Sequence, residues 1–194
     1  PSMTGSLFQV LFNIVDTFYA GKISSDALAA LAKAFPLYFI VISAGIGIVA
    51  GCNSLIANAI GSRNSLLASI YSYHSIAYAI FLSIFITFVG IFFSEYLLES
   101  MGSSSQSIIL SKEYIDIIFY GTIIFLILTA LNSILYAQGD TKTYRNVLFF
   151  GLIANIILNP IFIFGFLFIP SFGVAGLAIS TVMIQFFACI YILY

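Results

Sequence analysis

Long stretches without a charged residue dominate the chain, and apolar residues fill most of each one. The four longest cover residues 34–62, 64–94, 117–139 and 146–194, which are 29, 31, 23 and 49 residues long. An α-helix needs about 20 apolar residues to cross a bilayer. The last stretch is long enough for two crossings, and Asn159, Pro160, Gly165 and the PSFG segment at 170–173 divide it.

Together with an apolar segment at the start, this pattern predicts an all-α, polytopic integral membrane protein with six transmembrane helices in one domain, residues 1–194. The predicted spans are residues 3–20, 35–59, 68–94, 113–137, 143–165 and 174–194. Composition points the same way, because 62% of the residues are hydrophobic, 7% are charged and the mean hydropathy is +1.16. A soluble domain of this length could not bury so much apolar surface.

The charged residues lie mainly between the predicted spans. Their net charge of −1 leaves no basic surface for nucleic acid, which is therefore excluded as a partner. The links that follow odd-numbered spans and those that follow even-numbered spans carry three basic residues each: Lys22, Lys33 and Lys112 against Arg63, Lys142 and Arg145. Because the even-numbered links are much shorter, we predict that they are cytoplasmic.

The third link contains the polar segment SEYLLESMGSSSQS at 94–107, which we predict to be the longest water-facing loop. Lys112 and Asp116 follow it at i, i+4, and this spacing favours a paired, solvated start of the fourth span. His74 lies among tyrosines in the third span. We interpret it as an interfacial or packed residue rather than a proton relay.

A single carboxylate, Asp16, lies inside the otherwise apolar first span. Gln9, Asn13 and Asp16 fall at i, i+4 and i+7, so they share one helix face. An ionisable side chain at membrane depth costs at least ~2.5 kcal/mol on insertion scales, so it marks a functional site by default. The alternative is that Asp16 lies at a helix end, where headgroups or Lys22 balance its charge.

A second polar set lies in the fifth and sixth spans. Asn155 and Asn159 are one helical turn apart and precede Pro160, so their amides can bind a buried carboxylate or cation, or can simply join two helices. Thr181 and Gln185 have the same spacing, although a membrane threonine commonly bonds its own helix backbone. The predicted cavity-lining polar residues are Gln9, Asn13 and Gln185.

Three glycines, Gly45, Gly47 and Gly51, lie in the second span. They predict a smooth surface on which another helix packs closely. The alternative is that they let the helix bend as a cavity opens and closes.

Five motifs in order give the chain a resemblance to a known family. They are a proline fifteen residues before the aspartate of DTFYAG, the GIVAGCNSLIANAIGS segment ending at Ser62, QGDTKT at 138–143, NIILNPIFIFG at 155–165 and GVAGLAIST at 173–181. Together they resemble the amino-terminal half of the multidrug and toxic compound extrusion (MATE) transporters, within the wider MOP flippase superfamily. The resemblance spans nearly all of the chain.

The resemblance implies a secondary active transporter. In this family two six-helix lobes enclose a cavity that faces alternate sides of the membrane, and drugs, organic cations or metabolites are exported in exchange for H+ or Na+. This chain would be the first lobe of a longer protein in a prokaryotic plasma membrane. Its partners would be the second lobe of the same chain, the lipid bilayer and a small-molecule substrate, with no cofactor besides the coupling ion.

The resemblance also implies roles for individual residues. The family's helix-one aspartate corresponds to Asp16, its helix-five asparagine to Asn155 and its helix-six threonine to Thr181, which would bind the coupling cation, with Na+ at Asp16 and Asn155. Some members have aspartate where Asn159 stands, so this chain keeps one carboxylate and the choice between H+ and Na+ is open. Pro1 would mark a bend about which the first helix moves.

Other classes of function fit the residues less well. A lipid-linked oligosaccharide flippase would hold a pyrophosphate with Arg or Lys, yet the basic residues here lie near the links. A membrane-embedded enzyme would need a second reactive group near Asp16, whereas His74 stands alone and Cys52 and Cys189 have no partner signature. A structural subunit would not need polar residues inside apolar helices. The sequence therefore favours a transporter without enzymatic activity.

Overall fold

Six α-helices make up the part of the chain that the structure describes. The computed structural model describes residues 2–101 and 105–194, and the side chains of these residues other than 2–6, 9 and 105. The helices are α1 Ser2–Ile23, α2 Ser25–Gly61, α3 Ser65–Ser100, α4 Ser105–Ala137, α5 Lys142–Phe164 and α6 Val174–Leu193. The last five are long and apolar enough to cross a membrane. The predicted all-α membrane architecture is confirmed.

The middle helices are longer than a bilayer requires, and the predicted loop at 94–107 is wrong for residues 94–100 and 105–107, which are helical. Helix α3 continues to Ser100 and α4 begins at Ser105. The two helices have 36 and 33 residues, against the roughly 20 needed for a crossing. Glutamates and serines at an interface are compatible with a helix that leaves the membrane, so polarity alone did not mark the helix end.

Polar contacts between α3 and α4 stabilise this extension. The Nζ atom of Lys112 lies 3.2 Å from a carboxylate oxygen of Asp116 and 3.6 Å from one of Glu95. Ser94 donates a hydrogen bond to Asp116 at 3.3 Å. The predicted pairing of Lys112 and Asp116 is confirmed, and Glu95 and Ser94 join the pair to the neighbouring helix.

Helix α2 also begins earlier than the predicted span. The side chain of Ser24 caps it by accepting a hydrogen bond from the backbone N–H of Ala27 at 3.0 Å. Pro36 therefore lies in the interior of the helix rather than at its start.

Helix α4 lies at the centre of the lobe, in contact with α2, α3 and α6. A methyl group added at Gly45 of α2 would lie 3.0 Å from the side chain of Thr129 of α4. The predicted close packing is confirmed at Gly45. Gly47 and Gly51 instead face open space in the described part of the chain, with no atom within 4 Å of an added methyl group.

Helices α5 and α6 approach each other at backbone distance. A methyl group added at Gly176 would lie 2.6 Å from the carbonyl carbon and oxygen of Phe162. The link between these helices closes back onto α5, because Phe172 and Gly173 donate from their backbone N–H groups to the carbonyls of Phe162 and Ile163. Only glycine allows this approach at position 176.

The link between α4 and α5 is a tight turn. Gly139 has a φ of 83°, and the Oδ1 atom of Asp140 accepts hydrogen bonds from the backbone N–H groups of Lys142 at 2.9 Å and Thr143 at 3.1 Å. The Thr143 hydroxyl donates to Oδ2 at 2.5 Å. These bonds, chiefly those from Thr143, hold the pKa of the Asp140 carboxyl below its usual value.

Replacing Gly176 by alanine is expected to destabilise the protein, because the new methyl group meets the backbone of Phe162 rather than a flexible side chain. Overpacking of this kind typically costs about 1–3 kcal/mol. Thermal unfolding of the purified protein in detergent measures the effect. Gly47→Ala is the matched control because its added methyl group meets nothing. Equal melting temperatures for the two variants would contradict the close packing of α5 and α6.

Candidate functional site

Asp16 lies in the interior of the bundle, where α1 packs against α5. Its residue is 7% exposed, and Asn155 and Asn159 are fully buried. The Oδ1 atom of Asp16 accepts hydrogen bonds from the Nδ2 atoms of both asparagines, each at 2.8 Å. Asn159 Nδ2 also donates to Asn155 Oδ1 at 3.2 Å. We call these three residues the carboxylate–amide cluster.

The charge of Asp16 has no ion-pair partner among the described side chains. Lys22 is directed elsewhere, with its Nζ atom 5.2 Å from the centre of the Phe18 ring, a distance suited to a cation–π contact. The alternative in which Lys22 pairs with Asp16 is therefore wrong. Burying a charge without a counter-charge is costly, and the two amide N–H groups offset part of that cost.

A second polar contact joins α1 to α5 and depends on Pro160. Proline has no backbone N–H, so the carbonyl four residues earlier, that of Ile156, loses its partner within the helix. Tyr19 of α1 donates from its hydroxyl to this carbonyl at 3.2 Å. Because Tyr19 follows Asp16 by about one helical turn, both residues bind the same stretch of α5.

Ser180 of α6 extends the cluster to a third helix, and sequence reasoning missed it. Ser180 is fully buried, and its hydroxyl donates to Asn159 Oδ1. Asn159 therefore uses both ends of its amide. The sequence does offer one signal for Ser180. It lies four residues after Gly176 and so shares a helix face with it, and a glycine in an apolar helix indicates the face on which another helix packs closely.

Thr181 is buried next to this cluster, but its hydroxyl donates to the carbonyl of Leu177 in its own helix at 2.9 Å. No hydrogen bond joins it to Asp16 in the described structure. Its role in binding a cation stays a prediction.

The other predicted site residues have different outcomes. Asn13 and Gln185 line cavities. The side chain of Gln9 and the whole of Pro1 lie outside the described residues, so the cavity role of Gln9 and the bend at Pro1 stay predictions. His74 is exposed on α3, with its Nδ1 atom 2.9 Å from the carbonyl of Ile70.

Asp16 also borders an open cavity between α1, α2 and α4. This cavity has a volume of about 350 Å³, and its lining includes Asn13, Asp16, Thr17, Tyr38 and Tyr114. The carboxylate is thus bonded to amides and also accessible from the cavity.

A second cavity, of about 360 Å³, lies between α2, α4 and the start of α5, next to α6. Its lining includes Tyr38, Asn132, Tyr136, Tyr144 and Gln185. The Oδ1 atom of Asn132 is buried and has no hydrogen-bond partner among the described residues. A buried acceptor without a donor costs about 1–3 kcal/mol. We call this second cavity the Asn132 cavity.

Comparison with known proteins identifies the family. The MatE family model matches residues 1–161, most of the chain. The chain belongs to the MatE family. It is thus a multi-pass membrane protein of a transporter family, and the resemblance seen in its motifs is confirmed.

Three similar proteins show how much of a MatE protein this chain represents. It is 29% identical to a FAD transporter of Shewanella oneidensis over an alignment of 181 residues. This alignment covers 93% of this chain and 40% of the relative. It matches a multidrug resistance MATE family transporter of the MOP superfamily in an outward-facing conformation, with a TM-score of 0.91, 29% identity and coverage of 99% of this chain and 42% of that one. It also matches a multidrug resistance MATE family transporter in an inward-facing conformation, with a TM-score of 0.90 and 29% identity. This match covers 96% of this chain and 41% of that one. The chain spans about two fifths of the length of these proteins.

Replacing Ser180 by alanine is expected to lower stability by about 1–3 kcal/mol, because the buried Oδ1 atom of Asn159 loses its donor. Thr181→Val should cost less, since Thr181 bonds only a backbone carbonyl of its own helix. Thermal unfolding in detergent compares the two variants. A Thr181 variant that is as unstable as the Ser180 variant would show that α6 is not anchored through Ser180.

Proposed function

We propose that the complete protein is a secondary active transporter of the plasma membrane that exports drugs, organic cations or metabolites in exchange for H+ or Na+. The observation that carries this proposal is the position of Asp16, buried beside two amides and at the edge of an open cavity. No cationic side chain among the described residues neutralises it. An intramembrane carboxylate of this kind is suited to bind and release a small cation.

Cation binding would change the contacts of Asp16. The ionised carboxylate accepts hydrogen bonds from Asn155 and Asn159, and its charge strengthens these bonds. A proton would remove that charge and turn one carboxylate oxygen into a donor. A sodium ion needs oxygen ligands, so an asparagine would have to turn its Oδ1 atom toward the ion. In either case the contacts that hold α1 against α5 rearrange.

This rearrangement provides a two-state element for alternating access. The coupling ion binds the two arrangements of α1 with different affinity, and only such a difference can shift their populations. The similarity of this chain to both outward-facing and inward-facing relatives supports a lobe that keeps its fold while its relation to the rest of the transporter changes.

The Asn132 cavity is the proposed substrate-binding part of this lobe. Its three tyrosine rings, Tyr38, Tyr136 and Tyr144, suit an organic cation or an aromatic molecule. Neither this cavity nor the one at Asp16 has Arg or Lys in its lining. A flippase that must hold a pyrophosphate is therefore the less favoured function.

Asp16→Asn in the complete transporter is expected to reduce ion-driven export at least tenfold, because asparagine cannot exchange a proton or balance a cation. The measurement is substrate transport into or out of proteoliposomes under an imposed ion gradient. Asp26→Asn is the matched control, since Asp26 is an exposed carboxylate in the first turn of α2. Undiminished transport by a correctly inserted Asp16 variant would rule out the proposed role of Asp16.

Asn159→Asp is expected to shift coupling toward sodium. A second carboxylate beside Asp16 supplies another anionic oxygen ligand, which a sodium ion needs and a proton does not. We expect the ratio of Na+-driven to H+-driven transport to rise at least threefold in liposomes with one gradient at a time. Gln185→Glu, which adds a carboxylate in the Asn132 cavity, is the control. An unchanged ratio in the Asn159 variant would contradict the assignment of ion choice to this position.

A further inference from the structure

The two ends of the lobe carry opposite net charge. The end formed by the α2–α3 and α4–α5 links has three basic residues and one acidic residue, so its net charge is 3 − 1 = +2: Arg63, Lys142, Arg145 and Asp140. The other end has three lysines and five acidic residues, for 3 − 5 = −2: Lys22, Lys33, Lys112, Asp26, Glu95, Glu99, Glu113 and Asp116. The positive end is the one that anionic lipid headgroups would approach.

A cavity of about 550 Å³ opens at this positive end, between the end of α2, the start of α3 and the end of α4. Its inner wall includes Ile56, Ile60 and Ile134. Its polar residues are Arg63, Ser65, Ser69, Ser72, Tyr73 and Gln138. Arg63 follows directly after the uncharged stretch 34–62, at the end of the lobe where α2 stops. We call this the Arg63 cavity.

Arg63 brings an unpaired positive charge to this cavity. Its guanidinium forms no ion pair or hydrogen bond with any described residue, and no carboxylate lines the cavity. Arg145 differs, because its guanidinium donates to Asn146 Oδ1 at 3.1 Å. Lys112 at the opposite end binds two carboxylates.

The backbone around Arg63 is fixed by the ends of two helices. Its own N–H donates to the carbonyl of Ile60 at 2.9 Å, and the N–H of Asn64 donates to that of Ala59 at 3.0 Å. The Asn64 side chain in turn accepts from the N–H of Leu67 and caps α3. The position of Arg63 at the cavity is therefore set by helix ends on both sides.

This combination matches one class of ligand. A guanidinium offers paired N–H donors that fit phosphate oxygens, and Ser65 and Ser69, one turn apart on α3, add hydroxyl donors. The isoleucine wall suits the glycerol and first acyl carbons. A zwitterionic headgroup would bring a cation that no carboxylate of the cavity could receive.

We propose that the Arg63 cavity binds the phosphate of an anionic phospholipid, with the acyl chains directed along α2 and α4. This site is separate from Asp16 and from the Asn132 cavity, so it does not depend on the proposed transport function. Binding at this position would anchor the α2–α3 link to the membrane leaflet on the positively charged side of the lobe.

The test uses the complete transporter in detergent and measures lipid binding by native mass spectrometry. We expect phosphatidylglycerol to bind at least fivefold more tightly than phosphatidylcholine, and Arg63→Gln to remove this preference. Arg63→Lys keeps the positive charge but lacks the paired N–H donors of the guanidinium, so it should retain part of the preference for phosphatidylglycerol. Arg145→Gln is the matched control, because it removes one positive charge from the same end without touching the cavity.

Three results would overturn the proposal. Equal losses in the Arg63→Gln and Arg145→Gln variants would mean that only the overall charge matters. Equal binding of the two lipids to the unaltered protein would exclude a selective site. Competition by inorganic phosphate at the same concentration as the lipid would show a simple anion site, because a lipid site gains further affinity from its apolar wall. Unchanged melting temperatures in lipid-free detergent verify that each variant is folded.

Discussion

A carboxylate that is buried with no positive partner among the described side chains constrains how the helices of this lobe pack. Asp16 would be costly in an apolar bundle, and the structure offsets the cost with donors rather than with a cation. Asn155 and Asn159 supply those donors from α5, and Ser180 of α6 holds the second amide in place. Three helices are thereby joined in one chain of hydrogen bonds that begins at Asp16. A change in the charge of Asp16 would therefore alter the contacts of α5 directly and those of α6 through Asn159.

The packing of small residues allows this polar chain of contacts to exist. Ser180 has a short side chain, and it reaches Asn159 because α6 lies against the backbone of α5 at Gly176. A larger residue at position 176 would separate the helices and leave the Asn159 carbonyl oxygen without its donor. The close packing of α5 and α6 and the hydrogen bond between Ser180 and Asn159 therefore depend on each other.

Much of this could be predicted from the sequence, and the exceptions have a physical cause. The apolar stretches predict the helices, and the spacing of Asn155 and Asn159 predicts one shared face, because both signals are periodic along one helix. Ser180 and Asn132 were not found, since their importance depends on a partner, or a missing partner, on another helix. Residues 94–100 and 105–107 were misread as a loop because contacts of Lys112, across two helices, stabilise polar residues in a helix.

Pro160 affects a contact between two helices, because it leaves the carbonyl of Ile156 free to accept a hydrogen bond from Tyr19 of α1. With any other residue at position 160, that carbonyl would regain a donor from the α5 backbone, and the Tyr19 hydroxyl would supply its second hydrogen bond rather than its first. The cost of losing the hydroxyl is therefore set by a residue on a different helix, more than a hundred positions away in the chain. Tyr19 and Pro160 form an energetically coupled pair, and neither position can vary freely while the other is kept.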